Sequence, residues 1–233
     1  MKRHLNTLFV TTQDTWLSKE GECVELRLAG KTLGKIPLHT LQSIACFGRI
    51  SCSQYLLEHC ARLGVLVTWF TEYGRFMAAM HGPTTGNVLL RRAQYRLADS
   101  SEASSELARF FIVGKIANCR TVLLRQARKT GEPALETTAE KLGMILRRLA
   151  APHGLETLRG LEGDAAHLYF GVFHLLVKNE FRDAMHFAGR SRKPPRDEVN
   201  CLLSFFYSLL ANDIRSALEG VGLDPAVGFL HRE

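Results

Sequence analysis

The sequence predicts an α+β chain, with an N-terminal antiparallel β-sheet or sandwich carrying one short helix, followed by a mainly α-helical C-terminal domain. Three observations predict it. Strand-like runs fill the stretch from Leu8 to Met80, with Cys23-Val24-Glu25-Leu26-Arg27-Leu28 in strict alternation. From about Val88 the apolar residues recur at helical spacing. Between the two, His81-Gly82-Pro83-Thr84-Thr85-Gly86 has the composition of a linker. The expected division is a β domain over 1–81, a linker over 82–88 and a helical domain over 89–233.

In the first part the expected strands are Leu8-Phe9-Val10, Cys23–Leu28, Lys35-Ile36-Pro37-Leu38, Val65–Phe70 and Phe76-Met77-Ala78, the last two flanking the turn Glu72-Tyr73-Gly74-Arg75. Short strands with polar turns suit a small sheet or sandwich. One helix interrupts them over Ser53–Arg62, with Ser51 or Ser53 as its cap and Gly64 as its stop. In the second part, five or six helices are expected between Leu89 and Val221.

A chain of 233 residues with 46% hydrophobic content can bury one large core or two modest ones. It has no apolar run of the roughly 20 residues that a membrane span requires, and no secretory signal, so a cytoplasmic location is expected. The cysteines Cys23, Cys46, Cys52, Cys60, Cys119 and Cys201 contain no Cys-x-x-Cys pair and no zinc-like spacing, so they read as small buried hydrophobes. Neither a P-loop, a dinucleotide fingerprint nor a Gly-x-Ser-x-Gly nucleophile motif is present.

The net charge of +7 is unevenly spread: residues 1–98 hold 12 Lys/Arg against 6 Asp/Glu, and residues 99–233 hold 18 against 17. One acid-free gap after Glu72 contains Arg75, Arg91, Arg92 and Arg96; a second, from Ala108 to Gly131, contains Arg109, Lys115, Arg120, Arg125, Arg128 and Lys129. Such fields suit a polyanion, and a solvated helix face is the alternative.

Three stretches of the helical part carry candidate chemistry. A helix starting near Leu161 places Glu162, Ala165, Ala166, Tyr169 and Phe173 along one stripe. A carboxylate on an apolar stripe needs a cation, either an arginine or a metal. Next, Arg190-Ser191-Arg192-Lys193-Pro194-Pro195-Arg196-Asp197 sets four positive charges before a helix that Asp197 can cap, an arrangement that favours phosphate. Finally, the apolar Val227-Gly228-Phe229-Leu230 run ends in His231, which reads as a packed residue or as a ligand.

Taken in order, three patterns resemble the Cas1 integrase family of CRISPR adaptation. They are Gly-Leu-Glu-Gly-x-Ala-Ala-x-x-Tyr-Phe from Gly160, Arg-x-Pro-Pro-x-Asp-x-Val-Asn-x-Leu-Leu-Ser-Phe from Arg192, and Gly-Leu-Asp-Pro-x-x-Gly-Phe-Leu-His from Gly222. Gly86–Tyr95 and Lys115–Arg120 are similar to the family's entry into its helical domain and its next helix, so the likeness spans essentially the whole chain. It is most similar to the subtype I-C branch.

The resemblance implies an N-terminal β domain that makes a homodimer, and a helical domain that holds one Mg²⁺ or Mn²⁺ between a Glu, a His and a downstream Asp. Glu162 and His231 take the first two places, as catalytic and metal-binding residues. The family's third ligand lies on a later helix, so the resemblance implies a chain cut short, with that Asp beyond Glu233. The implied activity is endonuclease and integrase: the 3′-hydroxyl ends of protospacer DNA are joined to the CRISPR repeat. A transesterification brings its own nucleophile, so the protein must chiefly bind the ion and hold the strand in line. Arg190, Arg192, Lys193 and Arg196 are the first candidates for DNA contact, followed by Arg91, Arg92, Lys115 and Arg120. The implied partners are protospacer and repeat DNA, a Cas2 dimer and a Cas4 nuclease, with no membrane. The alternative, from another class, is a non-catalytic DNA-binding or assembly subunit with an incomplete metal site.

Overall fold

The computed structural model describes residues 6–80, 82 and 87–231. Residues 83–86 of the expected linker, His81 before it and Glu233 lie outside the described residues. The chain forms two compact units: 1–88 together with 205–225, and 89–204 together with 226–233.

The first unit holds two four-stranded sheets. One contains β1 (Thr7–Val10), β5 (Ser43–Phe47), β7 (Leu66–Phe70) and β8 (Phe76–Met80), in the order β1-β5-β7-β8. The other contains β2 (Trp16–Glu20), β3 (Cys23–Leu28), β4 (Lys31–Pro37) and the short β6 (Ser51–Cys52), in the order β4-β3-β2-β6. The α+β class holds, but the pairing is mixed where a purely antiparallel sheet was expected. β5 runs parallel to both β1 and β7, and β6 runs parallel to β2. The reason lies in the connections. Parallel neighbours need a long crossover, and α1 (Gln54–Leu63) lies on the path from β5 to β7, while the whole β2–β4 excursion separates β1 from β5.

Helix α1 starts and stops where the sequence indicates. The Ser53 hydroxyl accepts from the Leu56 N–H at 3.2 Å, and Gly64 closes the helix at φ 72°. Its Leu56 and Cys60 pack with Val10, Leu17, Val24, Ile44 and Val67 into one apolar core. All six cysteines are free thiols; Cys46 and Cys60 are buried, and Cys201 is exposed, against the expectation for that one. Burial pushes the Cys60 thiol up to about 12, which suits an inert core residue.

The second unit is built on α3 (Ser101–Thr130), α4 (Pro133–Arg148) and α5 (Leu155–Gly171), preceded by α2 (Val88–Asp99). Ile112, Ile116, Leu123, Leu135, Leu142, Leu158 and Leu161 form its core. The last helix, α6 (Glu198–Gly220), divides between the units at residue 205. The expected helical domain over 89–233 therefore loses 205–225 to the β unit. Phe205 and Leu209 pack on Ala45, Phe47 and Phe70, and the Phe205 and Phe47 rings lie 5.8 Å apart. Among the described residues, no helix is long and apolar enough to cross a membrane.

Gly74 and Gly64 both occupy left-handed backbone, but a Cβ on Gly74 would lie 2.6 Å from the Phe205 ring, while one on Gly64 would meet nothing within 4 Å. Gly64→Ala should cost roughly 1–2 kcal/mol through backbone strain alone. Gly74→Ala should lower the melting temperature further, because the Phe205 ring must also shift; equal melting temperatures would show that this packing contributes nothing.

Candidate functional site

Helix α5 begins at Leu155, with Gly154 at its N-cap, and not near Leu161 as the sequence suggested. Gly160 and Gly163 weaken the local helix signal, but the buried stripe Leu158, Leu161 and Ala165 overrides them by packing into the helical core. Glu162 lies at the edge of that stripe and keeps 24% of its side-chain surface in solvent. Phe173 falls beyond the helix, in a short 3₁₀ turn.

The cation that Glu162 requires is Lys115 of α3, whose ammonium donates to Glu162 Oε1. An arginine would have been the obvious choice from the sequence, and one is near in sequence: Arg159 stands three residues earlier, on the same side of α5. Its guanidinium is committed elsewhere. Nε and Nη2 donate to the carbonyl oxygen of Leu230 at 3.1 and 2.9 Å, and Nη1 pairs with Glu156.

These two hydrogen bonds fix the end of the described chain. Leu230 packs against the helical core, and its carbonyl is held from the helix that carries Glu162. The next residue is His231, which is exposed. Gly228 makes the approach possible, since a Cβ there would stand 2.3 Å from the His231 carbonyl oxygen. The apolar run before His231 is thus a packed platform, and the histidine extends from it toward solvent. Among the described residues, no group of three or more His, Cys, Asp and Glu could hold a metal ion.

The basic candidates separate by what they touch. Arg190 turns inward: its Nη1 donates to the Asn200 side-chain oxygen at 2.8 Å and also to the Ser191 carbonyl. Asn200, fully buried, gathers the loop. Its Nδ2 donates to Gly189 O at 2.8 Å and to Asp197 Oδ2 at 2.7 Å, and its Oδ1 accepts from the Ser191 N–H at 3.0 Å. Asp197 caps α6 as expected, accepting from the Asn200 N–H at 2.8 Å. Arg120 reaches across to α4, donating to Ala139 O at 3.2 Å. Arg92, Arg192, Lys193 and Arg196 are exposed, and Arg91 is half-buried. Arg159 and Asn200 escaped the sequence reading. The signals for them were a guanidine one turn before the half-buried Glu162 and an amide three residues after a capping aspartate.

Arg159→Met should leave α5 folded but loosen residues 226–231, at a cost of about 1–2 kcal/mol for two charge-assisted bonds. Hydrogen exchange should show faster labelling confined to that segment; unchanged exchange there would mean that packing of Leu230 alone holds it.

The family described as "CRISPR associated protein Cas1" matches residues 8–233. The chain is similar to the CRISPR-associated endonuclease Cas1 1 of Chlorobaculum tepidum, at 53% identity over 237 residues, covering all of this chain and 69% of that protein. It is 35% identical over 231 residues to a CRISPR-associated exonuclease Cas4/endonuclease Cas1 fusion of Geobacter sulfurreducens, covering 97% of this chain and 41% of the fusion. The fold is shared with a chain of a solved Cas6-RT-Cas1–Cas2 complex, at TM-score 0.76 and 22% identity, over all of this chain and 25% of that one. It is also shared with a casposase bound to integration product, at TM-score 0.78 and 22% identity, over 97% of this chain and 65% of that one.

Proposed function

Because the chain belongs to the Cas1 family of CRISPR-associated proteins, we propose that it is a divalent-metal-dependent DNA endonuclease and integrase of CRISPR adaptation, with Glu162 and His231 as ligands of one Mg²⁺ or Mn²⁺. The nuclease class follows from the family. The metal, the ligands and the joining of protospacer 3′-hydroxyls to the repeat are our reading of the site.

The observation that carries it is a half-buried carboxylate on the helix that also anchors the residue before an exposed histidine. The donor set fits a Mg²⁺ or Mn²⁺ ion, since a carboxylate oxygen and one imidazole leave positions open for water and phosphate oxygens. Glu162 also sits where a positive charge is already required, as its pairing with Lys115 indicates. We assign the third ligand, a carboxylate, to residues outside those described.

Bound there, the ion would supply charge stabilisation to the phosphate and favour the deprotonated hydroxyl. The protein's own part is positional. Arg159 holds the segment that presents His231, and the apolar stripe of α5 fixes the angle at which Glu162 emerges. The attacking group comes from the DNA, so no side chain need act as nucleophile. Arg192, Lys193, Arg196 and Arg92, exposed, are the groups we assign to backbone phosphates. Arg190 and Arg120 are better described as braces of the loop and of the α3–α4 packing that support them. We also propose a homodimer through the β unit, where Tyr73 and Met77 are exposed, together with Cas2 and Cas4 partners. The composite chains and complexes among the relatives support those partners.

Glu162→Gln and His231→Ala should each abolish transfer of a labelled duplex into a repeat-bearing plasmid in Mn²⁺ while leaving duplex affinity nearly unchanged, since phosphate contacts are separate from the ion. Full transfer by the Glu162→Gln protein would refute the ligand assignment. The double variant Arg192→Ala/Lys193→Ala should weaken all DNA sequences alike and flatten the dependence of log affinity on log salt by about 0.9 for each lost contact. An unchanged slope would return this loop to ordinary solvated surface.

A further inference from the structure

We propose that Lys115 is an exchangeable counter-ion: it neutralises Glu162 when no divalent ion is bound, and moves to a DNA phosphate when the ion takes the carboxylate. This deepens the reading above and rests on Glu162 being a ligand.

Two other basic residues of α3, Arg109 and Arg120, are held by neutral partners. Arg109 donates to the carbonyl of Leu149 at 3.2 Å and lies 4.9 Å from the centre of the Phe110 ring. Arg120 donates to the carbonyl of Ala139. Those acceptors belong to the backbone and are neutral, so nothing about ion binding would dislodge them. Lys115 differs, because its partner is a carboxylate. When a divalent ion occupies that carboxylate, the positive charge of Lys115 becomes unfavourable beside it, and the ammonium has to leave.

Leaving is cheap. The Lys115 side chain is 49% exposed, and ion pairs open to solvent on one side contribute little. The four-carbon stem also lets the ammonium swing without disturbing the helix. Where it can go is limited by α3 itself, which has no acid between Glu106 and Glu132. No carboxylate of its own helix is one turn away to recapture it. A phosphate oxygen of DNA at the ion would offer it a new negative charge.

Arg159, three residues before Glu162 on α5, does not supply the neutralising charge. That guanidinium is shared between the Leu230 carbonyl and Glu156, so the neutralising charge comes from another helix. A charge borrowed from a neighbouring helix can be withdrawn without loosening the platform under His231. One borrowed from Arg159 could not.

The test compares wild type, Lys115→Met, Lys115→Arg and Glu162→Gln in the whole chain. Mn²⁺ affinity is followed by titration calorimetry and by metal-dependent thermal shift, and duplex affinity is followed against salt with and without Mn²⁺. Lys115→Met should bind Mn²⁺ about two- to fivefold more tightly than wild type, since no ammonium competes for the carboxylate. On adding Mn²⁺, the wild-type salt dependence should steepen by about 0.9, the value of one further phosphate contact. Lys115→Met should lose that increment, and Lys115→Arg should restore it. Should Lys115→Met fold poorly, Lys115→Gln gives the same comparison.

Unchanged Mn²⁺ affinity in Lys115→Met, or a Mn²⁺-dependent steepening that survives in it, overturns the exchange while leaving Glu162 as a ligand. Wild-type Mn²⁺ binding that Glu162→Gln does not weaken overturns the ligand assignment, and the exchange falls with it. The two failures are distinguished by which variant leaves the metal titration unmoved.

Discussion

A single negative charge at the margin of an apolar helix face organises the second unit. The face of α5 that bears Leu158, Leu161 and Ala165 has to be buried for the α3–α4–α5 core to close, and Glu162 lies beside it. Burial of that face fixes where the carboxylate emerges and leaves it partly desolvated, which favours a nearby positive charge. Arg159 and Lys115 then take complementary tasks. The arginine, with a planar fork of donors, grips a backbone carbonyl at two points; the lysine, a point charge on a flexible stem, neutralises the carboxylate. Had the two exchanged places, the C-terminal segment would be held by a single movable contact and Glu162 by a rigid one.

The sequence made some of this legible, and the reasons for the remainder are physical. Cys23–Leu28 is legible as a strand because its apolar and polar residue types alternate, although burial does not follow them: Glu25 is as buried as Val24, its carboxylate bonded to Thr32 and paired with Arg27. Ser43–Phe47 escaped because it is an inner strand buried on both faces, with Ile44 and Cys46 in one core and Ala45 and Phe47 packed against Phe205, so it shows no alternation. The parallel pairing of β5 could not be read from single strands at all, since register and direction come from how distant segments close together. Helix α5 was placed too late because Gly160 and Gly163 lower the local propensity, which core packing then overrides.

The candidate site shows a similar division. Glu162 was identifiable because a charge among apolar residues at helical spacing is an anomaly with few explanations. His231 was identifiable only through the family pattern, since an exposed histidine after an apolar run has no distinctive signature of its own. Positive charge was the least specific signal. Composition reports that Arg120, Arg190 and Arg192 are basic, but not that the first two donate to oxygens inside the fold while the third is exposed. Asn200 shows how an internal partner is created, because its buried amide and the Asp197 carboxylate together draw Arg190 and Ser191 inward.

That inward turn has a consequence for the loop as a whole. A run of basic residues before a helix would repel itself and splay if every side chain faced solvent. Here one arginine is withdrawn and hydrogen-bonded to the helix's own first turn, and the Arg196 N–H is tied to the Ser191 hydroxyl at 3.0 Å. The backbone is therefore closed on itself before any anion arrives, and less ordering entropy opposes contact by the exposed Arg192, Lys193 and Arg196. The same economy applies at the other end of the unit, where Arg159 orders residues 226–231 without occupying Glu162. In both places an arginine that a charge count would assign to DNA donates instead to oxygens of the protein and fixes the neighbouring segment.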